Sequence, residues 1–306
     1  VRALREAHPG AIYLHLGRHF EISELDLGSG RALARPFKPS WFTRTRAHKD
    51  TEILSLDGAK RVAGIAVQRG RLRITETVTG YEKRAVKNRQ LLGVVPLSLP
   101  AMVFETEGFW FQVPHSAQEA VERARMHFMG SIHALEHAAI GILPLLVMAD
   151  RNDFGGISTP MHLQTGRPTV FVYDGMPGGA GLSTAAFDMA ADLFNHVLGT
   201  MADCPCELGC PSCVHSPKCG SGNRPIDKEG ALALLRSMLE YNPSMAAEAD
   251  AALAEPPSGL QTGLEQSRFT TVTVSDAETA LLPGPVQASP QPHPTLGPVV
   301  SYEIMD

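Results

Sequence analysis

The residues able to do chemistry are concentrated in one window of the chain. All five cysteines fall in CPCELGCPSCVHSPKCGSGN, residues 204–223, at Cys204, Cys206, Cys210, Cys213 and Cys219. The spacing Cys206-x3-Cys210-x2-Cys213-x5-Cys219 offers four soft ligands on one short loop. Zinc takes four thiolates in a tetrahedron, and a two-residue gap lets a tight turn present two sulfurs to one ion. Pro211, Pro217 and Gly220 favour such a turning backbone. Cys204 shares a face with Cys206 in an extended segment and is its substitute as ligand, with His215 as a further substitute. A closed four-thiolate site leaves no position for substrate, so its expected role is structural. Such sites supply on the order of 10–16 kcal/mol of folding energy in zinc-finger peptides.

Two other readings of the window are weaker. Disulfides need an oxidising compartment, whereas the cysteine count is odd and VRALREAHPG has no apolar signal core. An iron–sulfur cluster also takes four cysteines, and Cys206-x3-Cys210-x2-Cys213 has the spacing of radical-SAM enzymes. In those enzymes the motif stands near the start of a barrel, and here too little patterned chain follows it.

Three further constellations carry functional readings. His133-Ala-Leu-Glu136-His137 matches the H-x-x-E-H pattern of inverted zinc peptidases, with both histidines on one helix face. It defines an alternative, an isolated zinc hydrolase using His133, Glu136 and His137; the blander reading is a helix packing its polar residues on the next loop. Asp150, Arg151 and Asp153 precede Gly155-Gly156 and read as loop-fixing ion pairs or a partner surface. The turn GMPGGAG (175–181) can point backbone N–H groups at an anion. It lacks the Gly-Lys-Ser/Thr ending of a nucleotide-binding loop.

The elements that position these residues follow from hydrophobic period. Residues 11–95 alternate apolar and polar side chains and predict short strands, with hairpin turns at Gly17 and Gly70. Arg69, Arg71 and Arg73 then share one strand face. MVFETEGFWFQV (102–113) predicts a hairpin turning near Glu107-Gly108, and residues 116–143 one long helix opened by a Ser116…Glu119 capping box. RPTVFVYDG (167–175) predicts a strand, while 183–201 and 227–241 predict helices. The fold class is α+β: a β-rich basic N-terminal module over 1–95, an α/β zinc-binding domain with a four-cysteine loop over 96–241, and an Ala/Pro-rich, mostly disordered tail over 242–306. RFTTVTVSD (268–276) could add one strand.

Charge separates along the chain. Residues 1–95 hold 18 Lys/Arg against 9 Asp/Glu, and the remainder 9 against 23, giving the net −5. A basic first third suggests a polyanion-facing surface. The candidate phosphate contacts are Arg69, Arg71, Arg73, Lys83, Arg84, Lys87 and Arg89, chosen on charge density. The longest apolar run, AAIGILPLLVMA (138–149), is broken by Pro144 and fits a buried helix end, so no membrane partner is expected. The chain begins with Val, which suggests a piece of something longer.

Five stretches together resemble a known family: PGAIYLHLGRHFEISELD, FETEGFWFQVP, ALEHAAIGILPLLVMADRNDFGGIS, PTVFVYDGMPGGAGL and CELGCPSCVHSPKCGSGNRPIDKEGALALL. In order over roughly residues 5–240, they are similar to the C-terminal part of RecQ-like superfamily 2 DNA helicases of the mitomycin repair factor A type. The resemblance implies a zinc-binding domain behind two RecA-like motor domains, in ATP-dependent 3′–5′ DNA helicases of DNA repair. It implies structural Zn²⁺, with ATP and Mg²⁺ only in the motor. The implied partners are single-stranded or forked DNA and the motor of the same parent chain, in a cytoplasmic, nucleoid-associated bacterial setting. No G-x-x-x-x-G-K-[ST] and no DEAD/DEAH-like box occurs here, so this chain by itself is not expected to hydrolyse ATP. The main alternative is a structural or protein-interaction zinc domain docking onto that motor.

Overall fold

A computed structural model describes residues 2–240, 242–260 and 303–304. The first elements are α1 (Arg2–Glu6), β1 (Ile12–His15), β2 (Arg18–Asp26), β3 (Arg31–Pro36) and β4 (Trp41–Ile53). Next come β5 (Gly58–Val62), β6 (Ile65–Ala85), β7 (Leu91–Pro96), β8 (Met102–Gln112), α2 (His115–Arg123) and α3 (Phe128–Val147). A 3₁₀ turn, Arg151–Asp153, precedes β9 (Phe154–Thr159) and β10 (Thr169–Asp174). The last elements are α4 (Leu182–Asp188), α5 (Ala190–Asp203), α6 (Lys228–Leu239), α7 (Pro243–Ala254) and the short β11 (Glu303–Ile304). The fold is α+β, its sheets antiparallel apart from the parallel pairing of β11 with β3.

The chain forms two compact units, and the division differs from the expected break near residue 95. Among the described residues, one unit comprises 2–47 and 78–100, with β11 paired to it; the other comprises 48–77, 101–240 and 242–260. The long strands β4 and β6 each begin in one unit and end in the other. A strand's alternation continues across such a boundary, so composition gives no mark of it.

In the first unit β1, β2 and β3 form an antiparallel meander. Leu16 and Gly17 both have positive φ, 46° and 77°, which suits the expected tight hairpin turn. In the second unit β8 pairs with β6 on one side and β10 on the other, and β9 follows β10. Its FWF run divides by period two. Phe109 and Phe111 join Val67, Val170 and Val172 beneath Ile132, Leu135, Leu193, Phe194 and Leu234 of the covering helices. Trp110 faces the opposite side with Ile53, Leu72, Ile74, Phe171 and Tyr173, and its Nε1 donates to Gln68 Oε1 at 2.8 Å.

Gly70 and Gly108 are not hairpin turns. They face each other across β6 and β8, where a Cβ on Gly70 would strike the Ser55 carbonyl and one on Gly108 the Leu72 side chain. Close approach, not turning, explains them.

The long helix expected over 116–143 is two helices, interrupted by Arg125 at φ 61° and restarted by His127, whose Nδ1 accepts from the Gly130 N–H. The Ser116…Glu119 capping box does not form. Instead Glu248 on α7 accepts from the His115 and Ser116 N–H groups at 2.6 and 3.3 Å. That arrangement places an ordered helix over Pro243–Ala254, at the start of the stretch expected to be mostly disordered. Helix α7 buries Met245, Ala249, Ala252 and Leu253, and Asp250 pairs with Arg61 at 2.8 Å. The expected strand at 268–276 lies outside the described residues. Helix α3 is long and apolar enough to cross a membrane, yet 67% of its span is buried inside the protein, as for a core helix.

Candidate metal centre

The cysteine window is the loop between α5 and α6. Cys204 caps the end of α5, and Asp227 caps the start of α6 by accepting from the Gly230 N–H at 2.8 Å. Asp227 also accepts from the His127 N–H at 2.8 Å, tying the loop's exit to α3. Within the loop, Gly209 takes φ 97°, and the Cys213 and His215 N–H groups both donate to the Cys210 carbonyl. This turn buries Val214 completely and aims Cys210 and Cys213 together.

Four sulfurs converge there: Cys204, Cys206, Cys210 and Cys213 all lie within 4.8 Å of one another. Neighbouring Sγ separations are 3.5 Å for Cys204–Cys206 and Cys204–Cys210, 3.4 Å for Cys206–Cys213 and 3.8 Å for Cys210–Cys213. A zinc tetrahedron with ~2.3 Å bonds has edges of about 3.8 Å, so the donor set fits that ion. The hydrogen bond from the Ser212 N–H holds the Cys210 thiol down at about 6, while burial pushes Cys213 up to about 12.

The ammonium of Lys228 completes this surround. It donates to the Cys204 and Cys206 carbonyls at 2.7 and 2.6 Å and lies 3.5 Å from Cys206 Sγ. Lys228 is buried, 6% exposed, at the first residue of α6. A cation is out of place at a helix N-terminus and costly to bury; four thiolates around a divalent ion carry the negative charge that balances it. Sequence pattern alone misses Lys228, whose only signal is a lysine directly after a helix cap.

Cys219, expected as the fourth ligand, stands elsewhere. Its Sγ groups with His133 and His137, all within 4.8 Å, and Cys204 takes the place beside the other three thiols. The linear x5 spacing is misleading because the chain turns away after Val214. Ser216 and Asn223 brace the returning segment through two hydrogen bonds of 2.8 and 3.1 Å. His215 is likewise outside the four-sulfur group. Burial would raise the Cys219 thiol, but hydrogen bonding with His133, His137, Ser221 and the Asn223 N–H brings it to about 4. Glu136 is not part of this group; its Oε2 accepts from the Ser158 hydroxyl on β9 at 2.6 Å.

The glycine-rich turn after β10 already has its anion. The buried Asp174 carboxylate accepts from the N–H groups of Ala180, Leu182 and Ser183 at 2.6, 3.2 and 2.8 Å. Asp150 similarly serves its own backbone, capping the 3₁₀ turn with Asp153.

The seven basic candidates divide between the two units. Arg69, Arg71 and Arg73 belong to the second unit, and Lys83, Arg84, Lys87 and Arg89 to the first. Arg71 pairs with Glu105 at 2.7 Å, and Arg73 with Glu52 and Glu105 at 2.6 and 3.0 Å. Arg69 lies over the Phe187 ring. In the first unit Arg84 pairs with Glu82, Lys83 sits 4.4 Å over the Trp41 ring, and Lys87 and Arg89 are exposed.

Comparison with known proteins gives the family context. The MrfA Zn-binding domain family matches residues 135–214, a span that holds all four clustered cysteines and ends before Cys219. The uncharacterized ATP-dependent helicase YprA of Bacillus subtilis is 28% identical over 213 residues, covering 69% of this chain and 28% of YprA. The uncharacterized protein MJ1572.1 of Methanocaldococcus jannaschii is 36% identical over 111 residues, 35% of this chain and 99% of that protein. A crystal structure of the DUF1998 helicase MrfA bound to DNA matches with TM-score 0.53 and 26% identity, over 78% of this chain and 31% of that one. The chain thus spans less than a third of the helicases it matches.

Proposed function

Because the chain belongs to the MrfA-type helicase family, as its C-terminal zinc-binding region, we propose that it grips DNA for an ATP-dependent 3′–5′ DNA helicase of DNA repair. The motor, with its ATP and Mg²⁺, is supplied by other parts of the parent protein, in a cytoplasmic, nucleoid-associated setting. Zinc held by Cys204, Cys206, Cys210 and Cys213, with Lys228 balancing its charge, fixes the loop between α5 and α6. When bound, the ion supplies cross-linking alone, because four protein ligands close it to substrate.

The observation that carries the DNA reading is how charge divides between the units. Residues 1–47 and 78–100 hold 12 Lys/Arg against 5 Asp/Glu, a balance of +7. Residues 48–77 and 101–260 hold 14 against 22, a balance of −8. The basic unit also carries aromatic rings beside its cations, with Lys83 over Trp41 and Phe37 against Trp41. Cations beside stacking faces suit single-stranded DNA.

Fluorescence anisotropy of labelled single-stranded and forked DNA across a salt series tests this. Affinity should fall steeply with salt, by a slope of about 0.7 for each single-strand phosphate neutralised. Absent or salt-insensitive binding overturns it. The docking alternative is favoured by exposed Leu91, Leu92 and Val94 on β7; on that reading, replacing them with serine releases the motor and leaves DNA affinity unchanged.

A further inference from the structure

We propose that His133, His137 and Cys219 form a second metal site, separate from the four-cysteine cluster, that takes a divalent ion of the zinc class. This inference is independent of the DNA reading.

The histidine tautomers point to it first. His133 Nδ1 lies 2.8 Å from the Pro225 carbonyl, and His137 Nδ1 lies 2.8 Å from the Val214 carbonyl. A carbonyl oxygen only accepts, so each Nδ1 bears a proton, and it is Nε2 that faces Cys219 and would give its lone pair to a metal in place of a hydrogen bond to the sulfur. The two histidines and the Cys219 sulfur converge within 4.8 Å. Metal-ligating histidines nearly always donate their other ring N–H to an acceptor of this kind, which fixes both tautomer and ring plane.

Distance and chemistry agree with that assignment. Cys219 Sγ lies 3.4 Å from His133 Nε2, and a tetrahedral zinc with ordinary Zn–N and Zn–S bonds sets this edge at about 3.6 Å. Two imidazoles and a thiolate form a soft to borderline set that selects zinc over magnesium or calcium. Both histidines are buried, 8% and 4% exposed, on the core helix α3.

The site's consequence is mechanical. The segment 215–226 places no apolar side chain in the buried core apart from a partly buried Ile226, so packing alone holds it weakly. A metal at Cys219 would pin it to α3, and the carbonyls of Val214, just before the segment, and Pro225, near its end, are already bonded to the two ligand rings. The fourth position falls to water or to the Ser221 hydroxyl, 3.1 Å from Cys219 Sγ. The site uses both histidines of the H-x-x-E-H pattern, while Glu136 is turned to Ser158. It therefore acts as a staple, with no general base at the ligands.

The test is zinc content of the full chain by mass spectrometry, joined to mapping of the cysteines that alkylate under native conditions. The expected result is two zinc ions per chain in the wild type, one in Cys219→Ala, and one in the His133→Ala/His137→Ala double variant. Cobalt substitution should give two sets of d–d bands, of which Cys219→Ala removes one. A single zinc in the wild type with Cys219 readily alkylated overturns the proposal, as does an unchanged two-ion content in Cys219→Ala. The wild-type measurements decide the matter even where a variant fails to fold. Failure of the four-cysteine assignment is distinguishable, because it appears as a zinc content left unchanged by Cys206→Ser, where loss of one ion is expected.

Discussion

The second unit packs large side chains on both faces of its sheet, with Phe109 and Phe111 on one and Trp110 and Phe171 on the other, and adds a loop built around metal ligands. The core cluster of the first unit's meander is Ala7, Ala11, Ile22 and Ala32. The second unit's Arg71 and Arg73 on β6 are neutralised by its own glutamates, whereas the first unit keeps a large cationic surplus and exposed Lys87 and Arg89. One unit is organised around burial and metal, the other around an exposed charged surface. Acidity and a deep core go together here because a unit that engages its cations in ion pairs has few left for a polyanion.

The contrast breaks most readily at the metal. Cys206→Ser removes one of four ligands, and a structural zinc contributes on the order of 10 kcal/mol, comparable to the whole stability of an ordinary domain. The second unit should lose its cooperative melt while the first keeps its signal. The chain holds two tryptophans, Trp41 in the first unit and Trp110 in the second, so fluorescence separates them. Simultaneous loss of both transitions would show that the units do not melt independently.

A smaller change in the same unit is Trp110→Ala, which empties a fully buried site and leaves Gln68 without its indole donor. The expected cost is about 3–5 kcal/mol, read from chemical denaturation by far-ultraviolet circular dichroism. Lys228→Met should act on the metal more than on the fold, lowering zinc affinity by about 10–100-fold in a chelator competition. Unchanged affinity would remove Lys228 from the site's electrostatics.

How much of this was legible in the sequence depends on whether the information is local. Strand β10, helix α6 and the zinc loop carry their period or spacing in a few residues, and they lie where the pattern puts them. The fourth ligand did not, because Cys204 and Cys219 differ only in where the chain goes after Val214, which braces such as Asn223–Ser216 decide. Gly70 and Gly108 have the composition of turns, and only their pairing across two strands reveals close packing. Charge density marked seven cations without the glutamates that neutralise Arg71 and Arg73, since Glu52 and Glu105 come from other strands. Glu248 reaches the start of α2 from α7 across more than half of the described chain, with no sequence signature at all.

The charge contrast gives the next prediction in size. Lys87→Glu with Arg89→Glu should weaken binding to single-stranded DNA and reduce the salt slope by about 0.7 for each phosphate no longer neutralised. Arg71→Glu with Arg73→Glu should leave the slope unchanged, because those guanidinium groups already face Glu52 and Glu105. The second pair would also bring like charges together, so its melting curve is measured alongside. Equal effects from the two pairs would dissolve the distinction between the units as a DNA-binding criterion.

Acid provides the finest probe, because each unit buries one histidine whose pKa is lowered chiefly by desolvation. In the first unit His8 stacks on Tyr81 and donates Nδ1–H to the Pro9 carbonyl. In the second, His162 lies against Phe171 and donates Nε2–H to the Thr51 carbonyl. The remaining nitrogen of each ring, His8 Nε2 and His162 Nδ1, is buried with no hydrogen-bond partner among the described residues. Both rings are thus neutral in the fold at values where the unfolded chain already takes up a proton. Stability is present above the ordinary histidine value of about 6.5 and is lost as pH falls through the lower folded-state values. His162→Gln should flatten the acid branch read by Trp110 and leave that read by Trp41, and His8→Gln should do the converse. An acid branch that neither substitution alters would show that neither histidine carries the acid sensitivity of its unit.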